Sequence, residues 1–202
     1  ISLTTTVLAV LVGVFTAYAL TRLDFPGKGI ITGVILAASM FPGIALVTPL
    51  FQLFGDLGWI GTYRAMIIPN ISFALPLTVY TLISFFQQLP WELEEAARVD
   101  GATRGQAFRL VLLPLAAPAI FTTAIIAFIT TWNEFMLARQ LSTTATEPVT
   151  VAIARFSGPS AFEYPYAAIM AAGSLVTVPL IIMVLIFQRR IVDGLTAGGV
   201  KG

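Results

Sequence analysis

Five long stretches without a single charged residue govern what this chain can become: residues 1–21, 29–55, 65–91, 110–133 and 164–188. The shortest holds 21 residues and the longest 27, and a hydrocarbon core about 30 Å thick needs about 20 helical residues at about 1.5 Å each. In lipid every backbone N–H and C=O must find its partner inside the protein, which leaves helices or closed barrels. The runs lack the period-two alternation of barrel strands. A soluble core of apolar helices fits poorly, because buried soluble helices are rarely this long and nothing amphipathic lies between the runs. With 57% hydrophobic residues, 10% charged and a mean hydropathy of +0.92, against roughly a quarter charged in ordinary domains, the 202 residues read as an all-α, polytopic membrane helix bundle with five spans.

The charge balance, 11 Lys and Arg against 10 Asp and Glu, is too even for a nucleic-acid binder or a polybasic membrane-surface protein. Without Cys or His there is no disulfide, no Cys/His zinc site, no thiol nucleophile and no imidazole acid–base. A membrane enzyme is disfavoured further by the lack of paired intramembrane carboxylates or a G-x-S-x-G elbow. Eight basic residues, among them Arg22, Lys28, Arg98, Arg104 and Arg109, fall on one side of the five spans, and Arg64, Arg139 and Arg155 on the other. The eight-charge side is expected to be cytoplasmic, with the C-terminus inside and the N-terminus outside. The chain opens on Ile1 and is expected to lack at least one earlier span.

Prolines recur within the runs at Pro42, Pro49, Pro69, Pro76 and Pro179, and each removes a helix hydrogen bond. Several bent helices suggest a bundle around a path. Gly29 and Gly33 carry the small-xxx-small pattern of close helix contacts.

Residues 87–118 differ in kind. Seven of the 21 charges crowd between Glu92 and Arg109. Pro90 suits a helix start, Glu92, Glu94 and Glu95 suit its first turn, and Glu94 and Arg98 stand at the favoured i, i+4 spacing. Asp100-Gly101 supplies a stop. Thr103 and Gln106 form a capping-box pattern for a second short helix with Phe108, Leu110 and Val111 as its apolar face, before Pro114 and Pro118 lead into the next span. The product is a helix-turn-helix at the membrane surface: an ordinary connector or a docking element.

Glu95-Ala96-Ala97, then Gly101, then Val111-Leu112-Leu113-Pro114 resembles the EAA loop (E-A-A-x3-G-x9-I-x-L-P) of ATP-binding-cassette importer permeases, with Val111 in place of isoleucine. Phe25-Pro26-Gly27-Lys28, Trp132-Asn133-Glu134-Phe135 and the closing run from Gly194 to Gly202 are similar to the carbohydrate-uptake branch, the maltose and trehalose permease type. The resemblance covers essentially the whole chain. It implies a type I importer transmembrane domain, here five spans of six, occupying residues 1–187 with the coupling loop at 88–114, and a cytoplasmic tail at 188–202. It implies a transport subunit and not an enzyme, forming half of a sugar pore. There is no phosphate-binding G-x-x-x-x-G-K-[ST] loop, so this chain binds no cofactor, and ATP and Mg belong to partner ATPase subunits. The implied partners are a homologous second permease, two ATPase subunits, an extracytoplasmic sugar-binding protein and the lipid bilayer, in the cytoplasmic membrane of a bacterium or archaeon.

The resemblance assigns coupling roles to Glu95 as charged anchor, Ala96 and Ala97 as small residues allowing close approach, and Asp100-Gly101 as the turn. Phe108 is added as an apolar plug toward the ATPase. The tail residues Thr196, Gly198, Gly199 and Lys201 are expected to reach the ATPase interface. The outer loop at 136–163 is long for a bundle connection, and family likeness implies that it meets the sugar-binding protein. Candidates for the substrate path are Asn70, Ser72, Tyr80, Trp132, Asn133 and Glu134. The competing reading is an ATP-independent secondary transporter or channel subunit, which would normally keep charges within its spans at about 2.5–3.5 kcal/mol each. These runs hold none.

Overall fold

A computed structural model describes residues 1–156 and 165–197, with side chains as far as residue 187. The described residues form helices and no strands. In chain order these are α1 (Ser2–Arg22), α2 (Lys28–Ser39), a 3₁₀ turn (Gly43–Leu46), α3 (Val47–Asp56), α4 (Tyr63–Phe86), α5 (Glu92–Val99), α6 (Arg104–Ala107), a π-helical turn (Phe108–Leu112), α7 (Leu113–Trp132), α8 (Met136–Leu141), α9 (Val149–Ala154) and α10 (Tyr166–Ala197).

Among the described residues four segments are long and apolar enough to cross a membrane: Ser2–Arg22, Tyr63–Phe86, Arg104–Trp132 and Tyr166–Phe187. The remaining charge-free run is not one straight span. Lys28–Ser39 and Gly43–Asp56 are bent by 89° at Pro42, which cannot continue the helix before it. Lys28 stays beside Arg22, its Nζ donating to the carbonyls of Thr21 and Leu23 at 3.4 and 3.2 Å. Beyond α3 the chain reaches the opposite end, where the Gly61 N–H donates to the Leu141 carbonyl at 2.8 Å. Pro49 sits in the first turn of α3, while Pro69 and Pro76 lie inside α4, Pro118 inside α7 and Pro179 inside α10.

The bundle is built on α1, α4 and α7. Gly13 lets α1 and α4 close: a Cβ there would stand 2.6 Å from Thr78 Cγ2. Buried threonines of α4 and α7 satisfy their hydroxyls by back-bonding to their own helix, Thr78 to the Ala74 carbonyl and Thr123 to that of Ala119, each at 2.8 Å. Gly29 and Gly33, expected from the sequence as a contact pair, have nothing within 4 Å. No residue of α2 is buried. The small-residue contact lies at Gly13 instead, because α2 does not enter the core.

Two apolar clusters close the bundle at its ends. One joins Val14, Ala17, Leu82, Phe86, Phe108 and Leu112. The other joins Phe54, Met66, Leu137, Leu141 and Val151, so the outer loop is not free: α8 and α9 fold back onto the ends of α3 and α4. α10 lies at the periphery, touching α7, with a Phe121–Phe187 stack at 6.1 Å, and α9, and it presents apolar faces suited to lipid. It continues without interruption to Ala197, so the boundary expected at 187/188 falls within a helix. Gly198, Gly199 and Lys201 lie outside the described residues, as does the side chain of Thr196.

Candidate functional site

The helix-turn-helix forms as its residues dictate. Three acids, Glu92, Glu94 and Glu95, occupy the first turn of α5 and Arg98 the last, each with the sign that the helix dipole favours. Gly101 then turns the chain with φ 91°, a left-handed conformation costly for other L-residues. The Ala102 N–H returns to the Ala97 carbonyl at 2.9 Å and the Gly101 N–H to Arg98 at 3.1 Å, closing a Schellman-type end. The capping box at α6 is present in both directions, Gln106 N–H to Thr103 Oγ1 at 3.3 Å and Thr103 N–H to Gln106 Oε1 at 2.8 Å.

Two sequence expectations need correction. The second helix is not a separate short one: α6, the π turn and α7 run on as a single span, Arg104–Trp132. The π turn moves the buried face to Ala107, Phe108 and Leu112 and leaves Leu110 68% exposed. Phe108 is accordingly no plug for a partner. It is 8% exposed and packs in the chain's own core, its ring 4.4 Å from Tyr18 and 5.8 Å from Phe15. Glu95, Ala96, Asp100 and Gly101 do lie on open surface, with Ala97 half-buried.

The second correction concerns Glu94. It does not pair with Arg98; the one ion pair among the described residues is Arg155–Glu147. Glu94 is the single buried residue of α5, and its Oε1 accepts the Tyr18 hydroxyl at 3.2 Å. One turn further along α1, Arg22 is equally buried, and its Nη2 donates to the carbonyls of Phe86 at 3.0 Å and Leu89 at 2.7 Å. The guanidinium lies 4.5 Å from the ring centre of Trp91, the residue that precedes α5. Arg22 and Glu94 share a cavity of about 70 Å³ with Arg98 and Arg104. The sequence signal for this cluster was available: Tyr18 and Arg22 stand at i, i+4 in the last turn of an apolar run, and a charge there needs a partner.

At the opposite end a cavity of about 570 Å³ opens between α4, α7 and the folded-back loop, and it gathers Asn70, Trp132 and Glu134 with Tyr63, Thr131 and Glu147. Asn70 is buried, with its amide donating to the Met66 carbonyl at 2.9 Å. The Trp132 indole N–H is buried with no acceptor among the described residues. Glu134 is committed to structure: its two oxygens accept the N–H groups of Leu137 at 2.7 Å and Ala138 at 3.1 Å, capping α8. Tyr80, 54% exposed, and Asn133, bonded to the Ile129 carbonyl at 2.9 Å, do not line this cavity. Ser72 is exposed and back-bonds to Ile68 at 3.3 Å.

Comparison with known proteins places this geometry in context. The family model described as "Binding-protein-dependent transport system inner membrane component" matches residues 9–196. The trehalose transport system permease protein SugB of Mycobacterium tuberculosis is 53% identical over 203 aligned residues, covering 100% of this chain and 74% of that protein. The trehalose/maltose transport system permease protein MalG of Thermococcus litoralis is 46% identical over 187, covering 92% and 67%. Among solved structures, a bacterial ABC transporter that imports the acidic polysaccharide alginate gives a TM-score of 0.67 at 24% identity, covering 93% of this chain and 73% of that one. The inward-facing MetNI methionine ABC transporter gives 0.64 at 18%, covering 96% and 94%.

Proposed function

The chain belongs to the family of binding-protein-dependent transport system inner membrane components, and from that premise we propose that α5 and its Gly101 turn are the lever by which an ATPase subunit drives a sugar path through this bundle. Membership makes it a multi-pass permease subunit of a sugar importer, served by ATPase and substrate-binding partners, and not an enzyme. The secondary-transporter reading is not favoured.

The observation that carries the lever is the exposure pattern of α5. Glu95 and Ala96 present an open face, Gly101 ends it sharply, and Glu94 alone is buried beneath. A docking helix needs a small, stiff outer face and a firm attachment to the spans. In this reading ATP and Mg stay on two ATPase subunits, a homologous second permease completes the pore, and the α5 end faces the cytoplasm, because Arg22, Arg98 and Arg104 gather there. The C-terminus then lies on the cytoplasmic side, and Thr196, Gly198, Gly199 and Lys201 serve as ATPase contacts in this reading. The cavity of about 570 Å³ is the outer part of the substrate path, with Asn70 and Trp132 as its hydrogen-bonding and stacking groups. The cargo class is a trehalose- or maltose-like disaccharide, on the likeness to the M. tuberculosis and T. litoralis permeases.

Reversing the charge on the docking face tests this. In the full-length permease co-expressed with its partner subunits, Glu95→Lys is expected to reduce uptake of labelled trehalose to background and to lower ATPase co-purification, while the permease remains folded in the membrane. Normal uptake with normal co-purification would remove α5 as the lever.

A further inference from the structure

Building on the reading of α5 as the docking lever, we propose that Tyr18 and Arg22 of α1 form the joint through which displacement of α5 reaches the spans, with Glu94 as its counterpart on the lever.

Of the eight residues of α5 only Glu94 is buried, with Leu93 and Ala97 partly so where α5 packs on the π turn and α6. The side-chain hydrogen bond from Glu94 to α1 is the directional one from the Tyr18 hydroxyl at 3.2 Å. The Tyr18 ring is itself fixed, 4.4 Å from Phe108 of the π turn and edge-on to Phe86 of α4 at 6.4 Å. Arg22, one turn along the same face, ties the other side. Phe86 ends α4 and Leu89 follows it, and their carbonyls lie where a helix end leaves such groups without intrahelical partners. The guanidinium satisfies both and lies over Trp91 at the head of α5. Three structures therefore converge on one turn of α1: the end of α4, the head and middle of α5, and the π turn that opens the α7 span.

An apolar residue at position 94 would hold α5 against Tyr18 and Phe108 without the desolvation cost of a buried carboxylate. The acid instead ties α5 to one hydroxyl, fixing its register while allowing it to pivot. Pulled by a partner, α5 moves α1 through Tyr18 and α4 through Arg22. A covalent connection alone would transmit motion only to the chain neighbours of α5, to α4 through residues 87–91 and to α6 through the pliable Gly101, and not to α1.

The test uses the complete transporter in proteoliposomes, with radiolabelled trehalose as probe, and reads trehalose imported per ATP hydrolysed beside ATPase co-purification. Tyr18→Phe and Glu94→Leu are each expected to lower that ratio about fivefold or more, the lower range of ordinary coupling effects, with co-purification unchanged. Their combination is expected to be no worse than either alone, since both break one link. Glu94→Gln keeps a carbonyl acceptor for Tyr18 and is expected to keep the ratio. A wild-type ratio in Glu94→Leu, or additive losses accompanied by loss of the ATPase, would overturn the joint while leaving a defective Glu95→Lys to support the lever. A normal Glu95→Lys would overturn both.

Discussion

At one end of the bundle Arg22 and Glu94 are each 6% exposed, held by carbonyls, a hydroxyl and aromatic faces, around a cavity of about 70 Å³. At the other end Glu147 and Arg155 meet at 2.9 Å with the arginine side chain 44% exposed, beside a cavity of about 570 Å³. The same residue types are put to opposite uses. Where charge is buried, Arg22 on two carbonyls and Glu94 on one hydroxyl, helices from distant parts of the sequence are joined. Where Arg155 stays partly in water, held by Glu147 and the Arg139 carbonyl, only the neighbouring loop is tied. The proposed function uses that asymmetry, with force entering at the Arg22–Glu94 end and cargo at the open one.

The comparison would break most visibly at Arg22. Replacement by Ala removes two charge-assisted bonds of about 1.5–3 kcal/mol each and strands the Phe86 and Leu89 carbonyls. Thermal unfolding of the detergent-solubilised permease is expected to show a loss of about 3 kcal/mol. Arg22→Lys restores charge but not the planar fork that stacks on Trp91, so it is expected to recover only part of that loss. A loss below about 1 kcal/mol would mean that Phe86, Phe108 and Leu112 order this end by apolar packing alone.

The contrast was only half visible in the sequence. Charge-free runs identify spans because lipid leaves the backbone so few options, and local rules placed the Gly101 turn and the Thr103–Gln106 capping box correctly. The exposure of Glu95, Ala96, Asp100 and Gly101 follows from the same local rules. What a linear reading could not supply was anything decided by long-range proximity. Glu94 is 76 residues from Tyr18, and a local i, i+4 partner at Arg98 looked sufficient until burial took the carboxylate elsewhere. Phe108 looked exposed because an ordinary α-helical period misses the extra residue of the π turn, which rotates it inward. The bend at Pro42 was legible as a proline but not as an 89° break, since Pro69 and Pro76 carry the same signal and stay within α4.

At the open end effects should be smaller and local. Glu134→Ala strips the cap from α8 by freeing the Leu137 and Ala138 N–H groups, a loss of about 1 kcal/mol by the usual value of a helix cap. Hydrogen exchange is expected to quicken across residues 136–156 and not in α5, and trehalose imported per ATP should hold. Faster exchange in both regions would mean that the two ends are coupled more tightly than their separate apolar clusters imply.

The smallest effect is expected at Glu147–Arg155. With one partner largely in water, the Coulomb gain is screened and partly offset by ordering two side chains, so a double-mutant cycle on Glu147→Gln and Arg155→Ala should give a coupling of about 0–1 kcal/mol. It should shrink further as salt is raised. Arg155 also donates to the Arg139 carbonyl at 3.0 Å, a bond that Glu147→Gln leaves in place, so the single variants should differ, with Arg155→Ala the more costly. A salt-insensitive coupling above about 2 kcal/mol would place this pair in the regime of buried ion pairs. The outer end would then be as firmly specified as the joint at Arg22, and stiffness would no longer separate the end that receives force from the end that receives cargo.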